Sequence, residues 1–251
     1  MEDRASEHMG GTRAPERWVA WAVAALVVAA AFVMALKPLR SPDVWHHVAC
    51  GRLAAGLGGP ARADVFSCTA QGQRWIQYEW LAQWTFYQTH RFGGVTGLIL
   101  LRAGAVALTA LLLLMACRAR KGTAWPACGV ALALALLASS GRFFTRPELF
   151  TWLCLAGMMW ALEALRRGRH GLFWVPALLM VPWVNMHGAW PAGLALLGLT
   201  CAGETALVWA QGRPGLSRLP LAAGHEPLPS RTLRRLWTAF GLALAATLIN
   251  P

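Results

Sequence analysis

The stretch VTGLILLRAGAVALTALLLLMAC, residues 95–117, carries one charge, Arg102, in an otherwise almost wholly apolar run. Its length suits a helix crossing ~30 Å of hydrocarbon. Arg102 lies near its start, where a long side chain is expected to snorkel to the interface. Similar runs recur along the chain. Trp18–Leu36 precedes it, and Thr123–Ser140, Leu149–Leu165, Leu172–Met186, Ala189–Trp209 and Leu236–Pro251 follow. Leu172–Met186 holds Pro176 and Pro182 and is expected to be kinked or tilted. Trp18–Leu36 exceeds a signal-peptide core and no A-x-A site follows, so it reads as a retained signal anchor.

Composition agrees. Of 251 residues, 57% are hydrophobic and 14% charged, well below the roughly 25% charged residues of a soluble domain. The expected class is an all-α integral membrane protein of about seven transmembrane helices. The net charge of +12 comes from basic tracts between the apolar runs, not from a stripe on one element. That placement excludes nucleic acid as a partner and points to the lipid bilayer.

The tracts also predict orientation. Arg4, Arg13 and Arg17 precede the first span, Arg118, Arg120 and Lys121 follow the second, and Arg166, Arg167 and Arg169 follow the fourth. Arg213, Arg218, Arg231, Arg234 and Arg235 follow the sixth. All fall on one side, which the positive-inside rule makes cytoplasmic. Residues 1–17 then form a cytoplasmic N-terminal tail and 18–251 the membrane module. Within that module, 37–94 is the first extracytoplasmic loop and 211–235 a cytoplasmic loop.

The long loop is rich in aromatic residues, unlike a flexible linker. Tyr78–His90 reads as an amphipathic helix on the membrane surface, with Trp80, Trp84 and Tyr87 on one stripe. That stripe suits either an anchoring belt or a substrate-binding surface. Cys50 and Cys68 share this loop and are candidates for a disulfide in an oxidising compartment. The other four cysteines sit in apolar runs as small hydrophobes.

The polar residues of this side are the candidates for chemistry. In a helical "DVWHHVACG", Asp43, His46 and His47 stand at i, i+3 and i+4 on one face. Asp43 there suits a general base, a metal ligand or, with Ser41, a helix cap. Asp64 is a second carboxylate for the same site or a turn residue. Glu79 is a functional acid or the cap of the amphipathic helix. Arg142 and Arg146 fit a phosphate by guanidinium geometry, or else snorkel. Asn185 and His187, in "VPWVNMHGAWPAG", face a water-filled cavity or serve as hydrogen-bonded structural residues. No Walker A, GxGxxG, HExxH or GxSxG signature occurs.

The order of these motifs resembles the first outer loop of bacterial multi-pass proteins related to the GT-C glycosyltransferases. The shared blocks are "DVWHHVACG", a Gly/Pro turn, "DVFSCT", "WIQYEWL", and later "RPELFT" and "WVNMHGAWPAG", covering about residues 37–200. The resemblance implies a GT-C-like module in the bacterial cytoplasmic (inner) membrane. Its expected activity is transfer of a sugar from a polyprenyl-phosphate carrier to an acceptor glycan, lipid or protein on the extracytoplasmic face. By motif position the catalytic carboxylate maps to Asp43, with His46, His47, Asp64, Glu79, Arg142, Arg146, Asn185 and His187 expected to bind substrate. The chain departs in placing His46 where a second Trp is common and in having no DxD or Asp-Glu pair. A divalent cation (Mg or Mn) on Asp43 and Asp64 stays an alternative. Relatives continue past "LINP", so a C-terminal truncation is also expected. Rival expectations are a non-catalytic scaffold of envelope-polysaccharide assembly and, behind it, a transporter or flippase.

Overall fold

The computed structural model describes residues 14–119, 124–213 and 228–251, with side chains from residue 18 onward. Arg4, Arg13, the Arg120–Lys121 pair, Arg218 and the side chain of Arg17 lie outside the described residues. The helices are α1 Ala14–Ala35, α2 Asp43–Leu57, α3 Trp80–Ala119, α4 Trp125–Ser139, α5 Glu148–Arg166, α6 Val175–Met186, α7 Pro191–Gln211 and α8 Ser230–Ala246. Among the described residues an isolated antiparallel bridge, Ala63 to Arg74, is the nearest thing to a sheet. Among the described residues, four helices are long and apolar enough to cross a membrane: Trp18–Ala35 within α1, and α3, α5 and α7. The protein is an all-helical membrane protein on that ground. Helices α4, α6 and α8, at 15, 12 and 17 residues, fall short of that length.

The interfacial segment and the second span are one continuous element broken at Gly94, whose φ of 58° and ψ of −150° interrupt α3. Only glycine adopts that conformation at little cost. The chain therefore turns between an N-terminal arm packed on α2 and a long apolar arm packed on α1 and α5. The arm's buried stripe is Ala82, Gln83 and Phe86, while Trp84 is exposed. Trp80 and Tyr87, the other members of the expected aromatic stripe, also lie outside that buried face. Helix α2 approaches so closely that a Cβ on Gly51 would stand 2.0 Å from the Gln83 carbonyl oxygen. Gly51 is a condition of that contact.

Arg102 does not snorkel. It is 1% exposed, its Nε donates to the Ala35 carbonyl at 3.0 Å, and its Nη2 donates to the Lys37 carbonyl. The end of α1 leaves carbonyls without helical partners and carries the negative end of the helix dipole. A buried guanidinium satisfies both. Helices α1 and α3 meet along small side chains, Ala24, Ala31 and Ala35 against Ala103 and Ala110, as expected where lipid supplies no hydrophobic drive and close packing must hold helices together.

A second cluster joins α5, α6, α7 and α8 through Met158, Leu162, Met180, Trp183, Leu197 and Leu236. Helix α8 starts at Ser230, so Arg231, Arg234 and Arg235 belong to a helix rather than to a 211–235 loop. Its buried face, Thr232, Leu236, Ala239, Ala243 and Ala246, recurs at helical spacing. A third cluster, Val44, Ala82, Phe86, Leu98 and Phe150 with Val48 and Met186 against it, ties α2 to the ends of α3, α5 and α6. This third cluster underlies the polar residues of the site. Cys50, buried, and Cys68, exposed, are free thiols, so the candidate disulfide is absent.

Candidate functional site

Asp43 opens α2 behind Pro42, and no side chain caps the helix. The expected capping role is not taken up. Ser41 Oγ instead receives Arg146 Nε at 3.2 Å, and Arg146 Nη2 stands 2.5 Å from Asp43 Oδ2. The Arg146 side chain is 40% exposed and that of Asp43 49%, so the pair is open to a ligand from one side. Arg146 reaches it because Pro147 starts α5 at this point, and its guanidinium also lies over the Phe144 ring at 5.5 Å.

One turn along α2, the His46 ring lies 5.9 Å from that of His47 and 5.8 Å from Phe66. His47 sits against Phe86 at 6.0 Å. Its Nδ1 is buried without a hydrogen-bond partner among the described residues. Burial, then the neighbouring His46, pushes His47 down to about 4, so it is neutral at physiological pH. Cys50, whose Sγ is 3.4 Å from His46 Nε2, is pushed up to about 11 by burial. It is an inert thiol.

Asp64 is committed to its own turn. Oδ1 accepts from the Phe66 and Ser67 N–H groups at 2.8 and 3.0 Å, and Oδ2 accepts from the Ser67 hydroxyl. The Ser67 bonds hold its carboxyl below the usual range. Asp43 is held by Arg146 and Asp64 by Ser67. No group of three or more His, Cys, Asp or Glu able to hold a metal converges among the described residues. This donor set does not fit a divalent cation on Asp43 and Asp64.

A second polar cluster forms where the start of α3 meets α5 and the end of α6. Trp80 Nε1 donates to Asn185 Oδ1 at 2.8 Å, and Asn185 Nδ2 donates to the Val181 carbonyl at 2.9 Å. Trp183 Nε1 donates to Thr151 Oγ1 at 2.8 Å, and the same oxygen lies 2.8 Å from His187 Nδ1. The Thr151 oxygen accepts from the indole N–H and shares a second hydrogen bond with Nδ1, whose direction follows the imidazole tautomer. The other ring nitrogen, Nε2, lies 4.0 Å from Glu79 Oε1. Burial pushes Glu79 up to about 7 and lowers His187, the latter against the nearby Glu148. Both groups favour their neutral forms, so this contact is not an ion pair at neutral pH. Tyr78, beside Glu79, is raised chiefly by that carboxyl.

The two expected phosphate-binding arginines separate. Arg146 joins Asp43, while Arg142 lines a cavity between α3, α4 and α5. Two residues central to the geometry carry no chemical signal in the sequence, Gln77 and Thr151, while Trp183 flanks Asn185 and His187 in VPWVNMHGAWPAG. Gln77, 2% exposed, accepts from Ala61 N–H at 2.8 Å and donates to the Cys50 carbonyl at 3.1 Å and to Gln83 Oε1 at 2.5 Å. It locks the loop onto α2 and α3. Thr151 follows directly on "RPELF", and its place in that block was the available signal.

Comparison of the chain with protein-family models, curated proteins and solved structures finds no match.

Proposed function

We propose that the protein is a membrane glycosyltransferase related to the GT-C superfamily. Its substrate is a sugar on a polyprenyl-phosphate carrier, and its acceptor is a glycan, lipid or protein on the extracytoplasmic face. In this reading the chain crosses the bacterial cytoplasmic membrane about seven times with its N-terminus inside. The shorter helices α4, α6 and α8 complete the count by tilting or by local thinning of the bilayer.

The observation that carries the reading is the half-exposed Asp43–Arg146 pair, with Oδ2 and Nη2 at 2.5 Å, above the apolar floor of Val44, Phe86 and Phe150. A carrier phosphate arriving there competes with Asp43 for the Arg146 guanidinium, which matches phosphate as well as carboxylate. Once exchanged, Asp43 is free to take the proton of the acceptor hydroxyl. The acceptor oxygen then bonds to the anomeric carbon as the bond from that carbon to the phosphate oxygen breaks. The electron pair leaves on the carrier phosphate, where Arg146 meets the developing charge.

The full chain in proteoliposomes, supplied with labelled polyprenyl-phosphate sugars, tests this. Transfer is expected in the native protein and a loss of about 10²–10⁴-fold in Asp43→Asn. Native transfer with an unimpaired Asp43→Asn variant contradicts the role of Asp43. No transfer of any carrier-linked sugar, together with lost partner association on changing Trp80 and Trp84, favours the scaffold instead.

A further inference from the structure

Beside α5, on a flank away from the Thr151–His187 cluster, lies a cavity of about 350 Å³. That is within the ~300–1,000 Å³ of small-molecule sites. Its walls are three stripes at one spacing. Val106, Thr109, Ala110 and Leu113 come from α3, Leu132, Ala135, Leu136 and Ser139 from α4, and Trp152, Leu155, Ala156 and Met159 from α5. Each stripe runs i, i+3, i+4, i+7, so the cavity is a slot lying along the helices for about 10 Å at ~1.5 Å rise per residue. A compact polar ligand has nothing to hold it along that length. Thr109 spends its hydroxyl on the Ala105 carbonyl at 2.8 Å, which leaves the wall apolar.

The free polar groups gather at one end. Ser139 and Arg142 close the slot where α4 gives way to the turn before α5. Lys37 brings a second cation to this rim, its Nζ donating to the Ser140 carbonyl at 3.0 Å. No lining residue is acidic, and the Arg142 side chain is exposed with no partner among the described residues. A hydrocarbon slot capped by two cations and a hydroxyl complements a chain bearing an anionic head.

We infer that this slot is a binding site for an anionic membrane phospholipid, with one acyl chain between α3, α4 and α5 and its phosphate at Arg142 and Lys37. The occupant is an accessory lipid rather than a sugar carrier. On α5, Trp152, Ala156 and Met159 face the slot, whereas Phe150 and Thr151, with Arg146 just ahead of the helix, face the Asp43 and His187 clusters. A phosphate held at Arg142 therefore stands apart from the carboxylate that would act on it. The site does not depend on the transferase reading.

The test is lipid retention by the purified full chain in detergent, exposed to equal amounts of phosphatidylglycerol and phosphatidylcholine and read by native mass spectrometry. The native protein is expected to keep the anionic lipid preferentially. Arg142→Gln should lower that preference about fivefold, the effect of roughly one interfacial cation. Ala135→Phe fills the slot from α4, where the side chain is not packed in the core, and should reduce retention of both lipids. Thermal melting of each variant separates a lost site from a lost fold. Equal retention of the two lipids, or an unchanged preference in Arg142→Gln, overturns the inference. So does displacement of phosphatidylglycerol by farnesyl phosphate in the native protein but not in Ala135→Phe, which would make the slot an isoprenoid site.

Discussion

Asp43 and Arg146 meet as two half-exposed charges, whereas Glu79 and His187 meet as two largely buried groups whose neutral forms burial favours. Both couples flank the same apolar cluster at one end of the bundle. In the first, each side chain has both solvent and an oppositely charged partner beside it. In the second, desolvation prevails: it alone raises Glu79, and for His187 it outweighs the opposing charge of Glu148. An open ion pair is cheap to break, so a ligand can take one partner. A buried neutral couple is expensive to disturb, so it suits positioning. In the proposed mechanism the first cluster exchanges partners, while the second holds the loop, α5 and α6 in register.

The two couples should respond to mutation in opposite currencies. The largest effect is the loss of about 10²–10⁴-fold in transfer on Asp43→Asn, with melting almost unmoved because a half-exposed ion pair contributes only ~0–1 kcal/mol. A marked drop in melting temperature in that variant would erase the contrast. Thr151→Val should do the reverse. It orphans Trp183 Nε1, on a side chain with no exposed surface, and His187 Nδ1. A cost of about 1–3 kcal/mol is expected, visible as a lower melting temperature in detergent. Unchanged melting there would mean that the cluster does not hold the bundle.

A smaller effect is a pH signature. Glu79 rises from 4.5 to about 7 on folding. Between those values the folded protein keeps a proton that the unfolded chain has released, so stability falls as pH rises through the window. His47 drops from 6.5 to about 4. Between 4 and 6.5 the unfolded chain holds the extra proton, and stability rises with pH. The two slopes oppose each other from 4.5 to 6.5. Melting of Glu79→Gln against pH should therefore show a clear rise up to about 6.5 and then a plateau. The native protein should show a flatter curve there and a decline from 6.5 to about 7. Identical curves would remove burial as the source of the Glu79 shift.

Much of the helical framework was legible in the sequence because apolar runs and Pro and Gly boundaries are local signals. The runs beginning at Leu149 and Ala189 fall within a residue or two of α5 and α7, and the break between the aromatic arm and the long apolar arm comes at Gly94. What the sequence hid are contacts between distant segments. Arg102 reads as a snorkelling residue until the Ala35 and Lys37 carbonyls at the end of α1 are placed beside it. Asp64 stayed open between a site and a turn, and its Ser67 partner decides for the turn. Asp43 and Arg146 were singled out separately. Their pairing depends on α2 packing on α3 and α3 on α5, which no spacing rule conveys. Gln77 and Thr151 lie within the blocks WIQYEWL and RPELFT, but neither residue type points to chemistry by itself, and their weight comes from the groups they join.

The partner-exchange claim is tested most directly by a double-mutant cycle in transfer rate across Asp43→Asn, Arg146→Gln and the combined variant. If both residues act in one event, the double variant should be little slower than Asp43→Asn alone, the two losses being shared. Fully additive losses would mean that Asp43 and Arg146 act independently, and would contradict the exchange of Arg146 from carboxylate to phosphate.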